Sequence, residues 1–289
     1  MKTIIRILFA AFVLSLTPTV YVCAQGHIET PAERKAKQKR EAAAKKKKTR
    51  KNWESQGLVA VKDANGKWGF IDQTGKLIIP CQWKDAMPFG EGLAPVQDEN
   101  GKWGFIDQKG KVVIPCQWKG TFYFNEGLAS VQDDIGKWGS IDKTGKLVIP
   151  CQWKFALLFY EGLAAVKDAN NKYGFIDKTG KVVIPCQWSG TTIFKEGLAA
   201  VKDANNKYGF IDKTGKVVIP CQWKSVDLFY EGLAAVEDEN GKYGFIDKTG
   251  KEVIPCQWKY VGGFVGGSTF VIDANGKRHT INKKGKIID

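Results

Sequence analysis

Histidine and methionine are almost missing from this chain, with two of each in 289 residues. His27 lies near the N-terminus and His279 near the C-terminus, so an HExxH zinc site cannot be assembled from adjacent residues. A GxSxG elbow, a phosphate-binding P-loop and a CxxC pair are missing as well. A glycosidase-type carboxylate pair is set by distance in space and leaves no spacing to read. Nearly every acidic residue in the body of the chain recurs several times, however, with Asp85, Asp134 and Asp227 among the exceptions. The expectation is a protein that is not an enzyme, carries no cofactor and binds no metal. Beyond the N-terminal stretch, no segment reaches the roughly 20 apolar residues that a membrane-spanning helix needs.

The N-terminus reads as a targeting segment. Lys2 and Arg6 make a positive start, Ile7–Leu16 is apolar but too short to span a bilayer, and Val22-Cys23-Ala24 is a small-residue exit. Residues 1–24 are read as a signal peptide cleaved before Gln25. That carries the mature chain across the inner membrane, to a periplasmic or extracellular place. A lipoprotein anchored through Cys23 is the alternative, disfavoured by Val22 where a small residue is expected. Residues 25–56 read as a basic tether, since His27–Gln56 holds eleven Lys or Arg against four Glu. Strong helix formers with few apolar residues fit a fraying helix or a disordered spacer. Lys45, Lys46, Lys47, Lys48, Arg50 and Lys51 are candidate contacts to an anionic envelope surface, where each basic residue gains about 1 kcal/mol. An exported chain is not expected to meet nucleic acid.

What the chain has in abundance is repetition. GKWGFID at Gly66–Asp72 returns every 35 residues, at Gly101, in changed form at Gly136, Asn171 and Asn206, and at Gly241. IPCQW keeps the same step through Cys81, Cys116, Cys151, Cys186, Cys221 and Cys256. A unit this short falls below the roughly 40 residues at which a lone core holds. The units must therefore stack and bury their faces on one another. Residues 57–289 read as six full units and an atypical seventh, in which Arg278 and His279 replace the aromatic-Gly pair and IPCQW is missing.

Each unit reads as β throughout. In the fourth, Leu163–Val166 is a strand, Asp168–Asn171 a turn of the kind where Asn-Gly favours a tight hairpin, and Tyr173–Ile176 a second strand. Asp177–Gly180 is a second turn and Val182–Ile184 a third strand, which Pro185 ends or places on an edge. The expected fold is all-β: three-stranded 35-residue units in an open, twisted, solenoid-like array, the degenerate last unit acting as a cap. A closed seven-unit, propeller-like ring is the alternative.

The pairs Trp68-Gly69, Trp103-Gly104, Trp138-Gly139, Tyr173-Gly174, Tyr208-Gly209 and Tyr243-Gly244 combine in register with the FID, IP and EGLA blocks. On these motifs the chain, over about residues 57–289, resembles the WG (or KWG) β-repeat proteins of bacteria. The resemblance implies a secreted or envelope-associated repeat protein and no shared catalytic activity.

The recurring residues have structural readings. A strand Gly leaves a groove that an aromatic ring can cover. The Trp of IPCQW and the Phe before EGLA, such as Trp188 and Phe194, are expected to form the core between units. The six Cys read as free thiols filling gaps beneath the neighbouring Trp, or as disulfides between adjacent units. The turn aspartates, such as Asp63 and Asp72, lack the ligand spacing of a calcium loop and fit Asx turns.

Function is sought in what varies between copies. The stretch from the Trp of IPCQW to the residue after the Phe differs in every unit, and stacking would align these stretches on one face, where such arrays bind. The candidate partner-binding residues are Met87, Phe122, Tyr123, Leu157, Tyr160, Ile193, Lys195, Asp227, Tyr230 and Tyr260. Their mixture suits a protein partner, and the protein is expected to be a secreted, non-catalytic interaction or scaffold protein at the cell envelope. A glycan or cell-wall binding module is the alternative.

Overall fold

The computed structural model of the protein describes residues 57–288. The readings of the signal peptide, Cys23 and the tether, with Lys45, Lys46, Lys47, Lys48, Arg50 and Lys51, lie outside the described residues. Among the described residues the regular elements are all strands, forming seven antiparallel sheets in chain order, none closed into a barrel. No described helix is long and apolar enough to cross a membrane.

The five interior sheets have four strands in meander order, and the terminal two have three. In the fourth sheet the strands are Phe155–Ala156, Leu163–Lys167, Tyr173–Asp177 and Val182–Trp188. The three expected strands are present, and the variable stretch supplies the fourth. Leaving Trp153, the chain lays Phe155–Ala156 against Lys167 and Val166 of the next unit. The variable stretches are thus short edge strands and their connections rather than free loops; two residues are too few to show a period. Pro185 does not end its strand either. It lies in the opposite edge strand, where its missing N–H is not needed, and pairing resumes at Trp188 beyond a bulge.

That bulge explains the aromatic-Gly pair. A Cβ on Gly69 would lie 2.5 Å from Ile79 O and 2.8 Å from Cys81 N and Sγ. The middle strand can pass the Ile-Pro-Cys bulge only without a side chain at this point. The turns also differ from the sequence rule. Asp63 N donates to Lys67 O and Gly66, at φ 80, closes a three-residue loop; Asn171 and Asn206 take this left-handed place in units four and five. The two-residue hairpin sits instead at Glu-Gly, where Glu161 has φ 53 and Gly162 φ 87 and Tyr160 and Leu163 exchange backbone hydrogen bonds. The aspartates act as Asx acceptors: Asp63 Oδ1 takes Asn65 N at 2.9 Å and Lys67 N at 2.8 Å.

The core is a series of layers between consecutive sheets. Leu163, Ala165, Phe175 and Ile184 of the fourth sheet meet Ala199, Val201 and Ile211 of the fifth, with Phe194 from the connection between them. The Phe before each Glu-Gly turn is buried or half-buried, as expected, and Phe194 meets Phe175 edge-to-face at 4.8 Å. The six tryptophans that end the long strands are more peripheral, only Trp258 being fully buried. The array has open ends. Ala164, Val166 and Ile176 are at most 1% exposed, whereas their counterparts Val59, Val61 and Ile71 in the first unit are half-buried, with no described sheet before them. No strand pairing joins the first and last sheets.

Charged brackets tie the units together along the Glu-Gly turns. Glu161 Oε2 accepts Gly197 N at 3.0 Å, one unit on, and Lys213 Nζ lies 3.1 Å from the same oxygen. Glu91, Glu126, Glu196 and Glu231 repeat this with Lys143, Lys178, Lys248 and Lys283. A Glu at positive φ is uncommon; here the position aims its carboxylate at the next turn.

Candidate functional site

The variable stretches occupy one edge of the sheets, the short-strand edge, while IPCQW occupies the other. At the short-strand edge, side chains of consecutive units touch. Tyr123 Oη and Tyr160 Oη lie 3.2 Å apart. Lys195 Nζ sits 5.8 Å from the centre of the Tyr230 ring, a cation–π distance. Asn125, one of the variable residues after the Phe but not among the ten candidates, donates from Nδ2 to Phe159 O at 2.5 Å; it occupies the same place in its unit as Tyr160, Lys195 and Tyr230.

Burial pushes the Tyr160 phenol well above the usual tyrosine range, with further contributions from Tyr123 and, two units on, Tyr230. Burial also raises Tyr230, as does Asp227. Asp227 keeps contact with solvent, yet the protein crowded around it pushes its carboxyl above the usual range. These phenols stay protonated at neutral pH, so they donate and accept hydrogen bonds and offer ring faces, and do not act as bases.

The remaining candidates sit apart from this group. Phe122 stacks on Trp138 at 5.2 Å and meets Phe155 edge-on, inside a layer between sheets. Leu157 packs into the next layer. Met87 and Ile193 are half-buried. Tyr260 is exposed, 6.1 Å from Tyr243 and 5.9 Å from Phe270. Of the ten candidates, direct contacts join Tyr123 to Tyr160 and Lys195 to Tyr230.

Among the described residues no cluster of His, Cys, Asp or Glu could hold a metal ion. The six cysteines are free thiols, half-buried at the IPCQW bulges. Burial raises the thiols of Cys116, Cys151, Cys186, Cys221 and Cys256, pushing Cys151 up to about 11, so these five lack the thiolate character of a reactive site.

Consecutive antiparallel sheets, each built from one 35-residue unit, define a tandem β-repeat protein. The family described as WG containing repeat matches residues 68–103, 103–138, 138–173, 173–208, 208–243 and 243–277, and the chain belongs to it. No curated protein matches the sequence. Among solved structures, the computationally designed Ika8 protein is similar in fold, with 13% identity, 81% of this chain and 83% of that one covered, and a TM-score of 0.50. BamB from Moraxella catarrhalis matches at 11% identity over 78% of this chain and 82% of its own, with a TM-score of 0.45. The extracellular domain of the putative one component system BT4673 from B. thetaiotaomicron matches at 12% identity over 81% and 41%, with a TM-score of 0.39.

Proposed function

We propose that this is an exported, non-catalytic interaction or scaffold protein that holds a protein partner at the cell envelope through its short-strand edge. The contact of Tyr123 with Tyr160 carries the reading: variable residues of adjacent units meet across the boundary between them. Tyrosine and a cation at such an edge give large contact area at low entropic cost, as interface anchors do. Lys2, Arg6 and the apolar stretch after them support export, and the basic segment 25–56 supports an additional contact with anionic surfaces.

The test is capture of envelope proteins by the full chain and by a Tyr160→Ala, Tyr230→Ala variant, across a salt series. A specific partner retained above 0.3 M salt (about a 6 Å screening length) and lost at least tenfold by the double variant is the expected result. Retention by the variant would remove the short-strand edge from the proposal. The paired phenols of Tyr123 and Tyr160 also suit sugar hydroxyls and ring faces, so competition by free cell-wall glycan would favour the glycan reading instead.

A further inference from the structure

Along the short-strand edge, the residue after the Phe of one unit reaches towards the unit that follows. A Cβ on Gly90 of the second unit would lie 2.9 Å from Tyr123 Cδ2 of the third. Asn125 of the third unit bonds Phe159 O of the fourth. Between the sixth and seventh units the order at Gly90 is reversed. The ring, Tyr230, belongs to the earlier unit, and the later one offers Gly263 where Pro88, Tyr123, Leu158, Ile193 and Leu228 stand elsewhere. Gly263 is exposed. Apart from its chain neighbours, a Cβ built there would have one atom within 4 Å, Tyr230 Cδ2 at 3.6 Å. A side chain is thus missing beside the Tyr230 ring, at a place open to solvent.

The sixth unit also carries an uncompensated charge there. Asp227 stands where the other units have Met87, Phe122, Leu157, Thr192 and Gly262. It follows the short strand Ser225–Val226, its N–H donating to Ala235 O at 2.9 Å, and it is exposed. Tyr230 lies three residues on, and the Asp227 charge helps to raise its phenol. Glu237, on the adjacent strand, is paired with Lys224 at 2.7 Å and accepts a bond from Tyr243 Oη at 3.1 Å. Asp227 has no ion pair among the described residues. A cation already approaches Tyr230 from the unit before it, Lys195 of the fifth. From the unit after it, Gly263 brings none. A cation over a tyrosine ring and beside a carboxylate is favoured by both. A planar guanidinium can meet the two at once, stacking on the ring and forking onto the carboxylate.

We propose that Asp227, Tyr230 and the gap at Gly263 form a socket for a guanidinium group, the arginine side chain of the protein partner. That a protein supplies the group rests on the proposed function; the chemistry of the socket rests on these three residues. N-acetylarginine amide is the probe, titrated into the full-chain protein and followed by NMR at the Tyr230 ring and the Asp227 carboxyl. It is expected to bind saturably, with a dissociation constant on the order of 10 mM, while its neutral citrulline counterpart gives no response. Asp227→Asn should weaken the probe by about threefold or more. Gly263→Arg delivers the group from within the chain. It should abolish the response and lower the Asp227 pKa by about one pH unit relative to Gly263→Gln. No saturable response by the wild type, an equal response to the citrulline compound, or unchanged binding by Asp227→Asn overturns the proposal. Capture of envelope proteins separates the two claims. A partner held equally by wild type and Asp227→Asn overturns the socket alone; probe binding with no partner retained upholds the socket and overturns the proposed function.

Discussion

The Gly of each aromatic-Gly pair is the most constrained residue in the unit. At Gly104 a Cβ would meet Ile114 O at 2.5 Å and Cys116 N at 2.7 Å, both backbone atoms that no rotamer change can move. Gly104→Ala is expected to destabilise the array on the order of 3 kcal/mol, read from urea unfolding by tryptophan fluorescence. Cys151 is the opposite case: held protonated and half-covered, it should react with a disulfide reagent at the rate of unfolding, and its rapid modification in folded protein would contradict this. At this scale the sequence was partly legible. It marked these glycines and cysteines as structural, but not that Gly104 exists to let the Ile-Pro-Cys backbone pass, because a close approach between strands has no signature in either strand alone.

At the scale of the turn, the Glu-Lys bracket is the main device that residue patterns concealed. Asn-Gly drew attention as the hairpin, while Glu-Gly, an unpromising pair for positive φ, forms the two-residue turn. Burial opposes ionisation of Glu196, but the Lys248 ammonium and the Gly232 N–H outweigh it and hold its pKa below the usual value. A depressed carboxylate contributes stability above its unfolded pKa, near 4.3, and loses it as pH falls through the folded value. Thermal midpoints should therefore drop on acidification below about pH 4. Glu196→Gln should cost about 1 kcal/mol at pH 7, the discounted worth of a partly exposed charged bond, and should shrink the difference between pH 7 and pH 3. A variant that matched wild type at both pH values would show that the bracket contributes nothing.

Across the whole repeat region, stability is shared between neighbours, so the ends should open first. Amide exchange is expected to be faster in Val59–Ile71 and Ser268–Ile281 than in Leu163–Ile176, by factors of about ten or more, measured by mass spectrometry. Uniform protection would argue for a partner capping the ends. The unit count and the atypical last unit were readable from spacing alone, and they led to the open array. The binding edge was only half readable: which stretch varies is visible in one chain, whereas which of its residues meet across units, as Tyr123 and Tyr160 do, depends on how neighbouring sheets are set.

The brackets also bear on how such a chain can change length. Each Glu finds its Lys 52 residues downstream, whatever unit that Lys belongs to. Where no Glu lies 52 residues upstream, at Gln73 and Gln108, the Lys is absent too, and Gly266 replaces the last Glu. Excising or duplicating one interior unit in frame would leave every remaining Glu facing a Lys. Recombination between copies could then lengthen or shorten the protein by whole steps, each product inheriting a complete set of ties and the same two distinct ends.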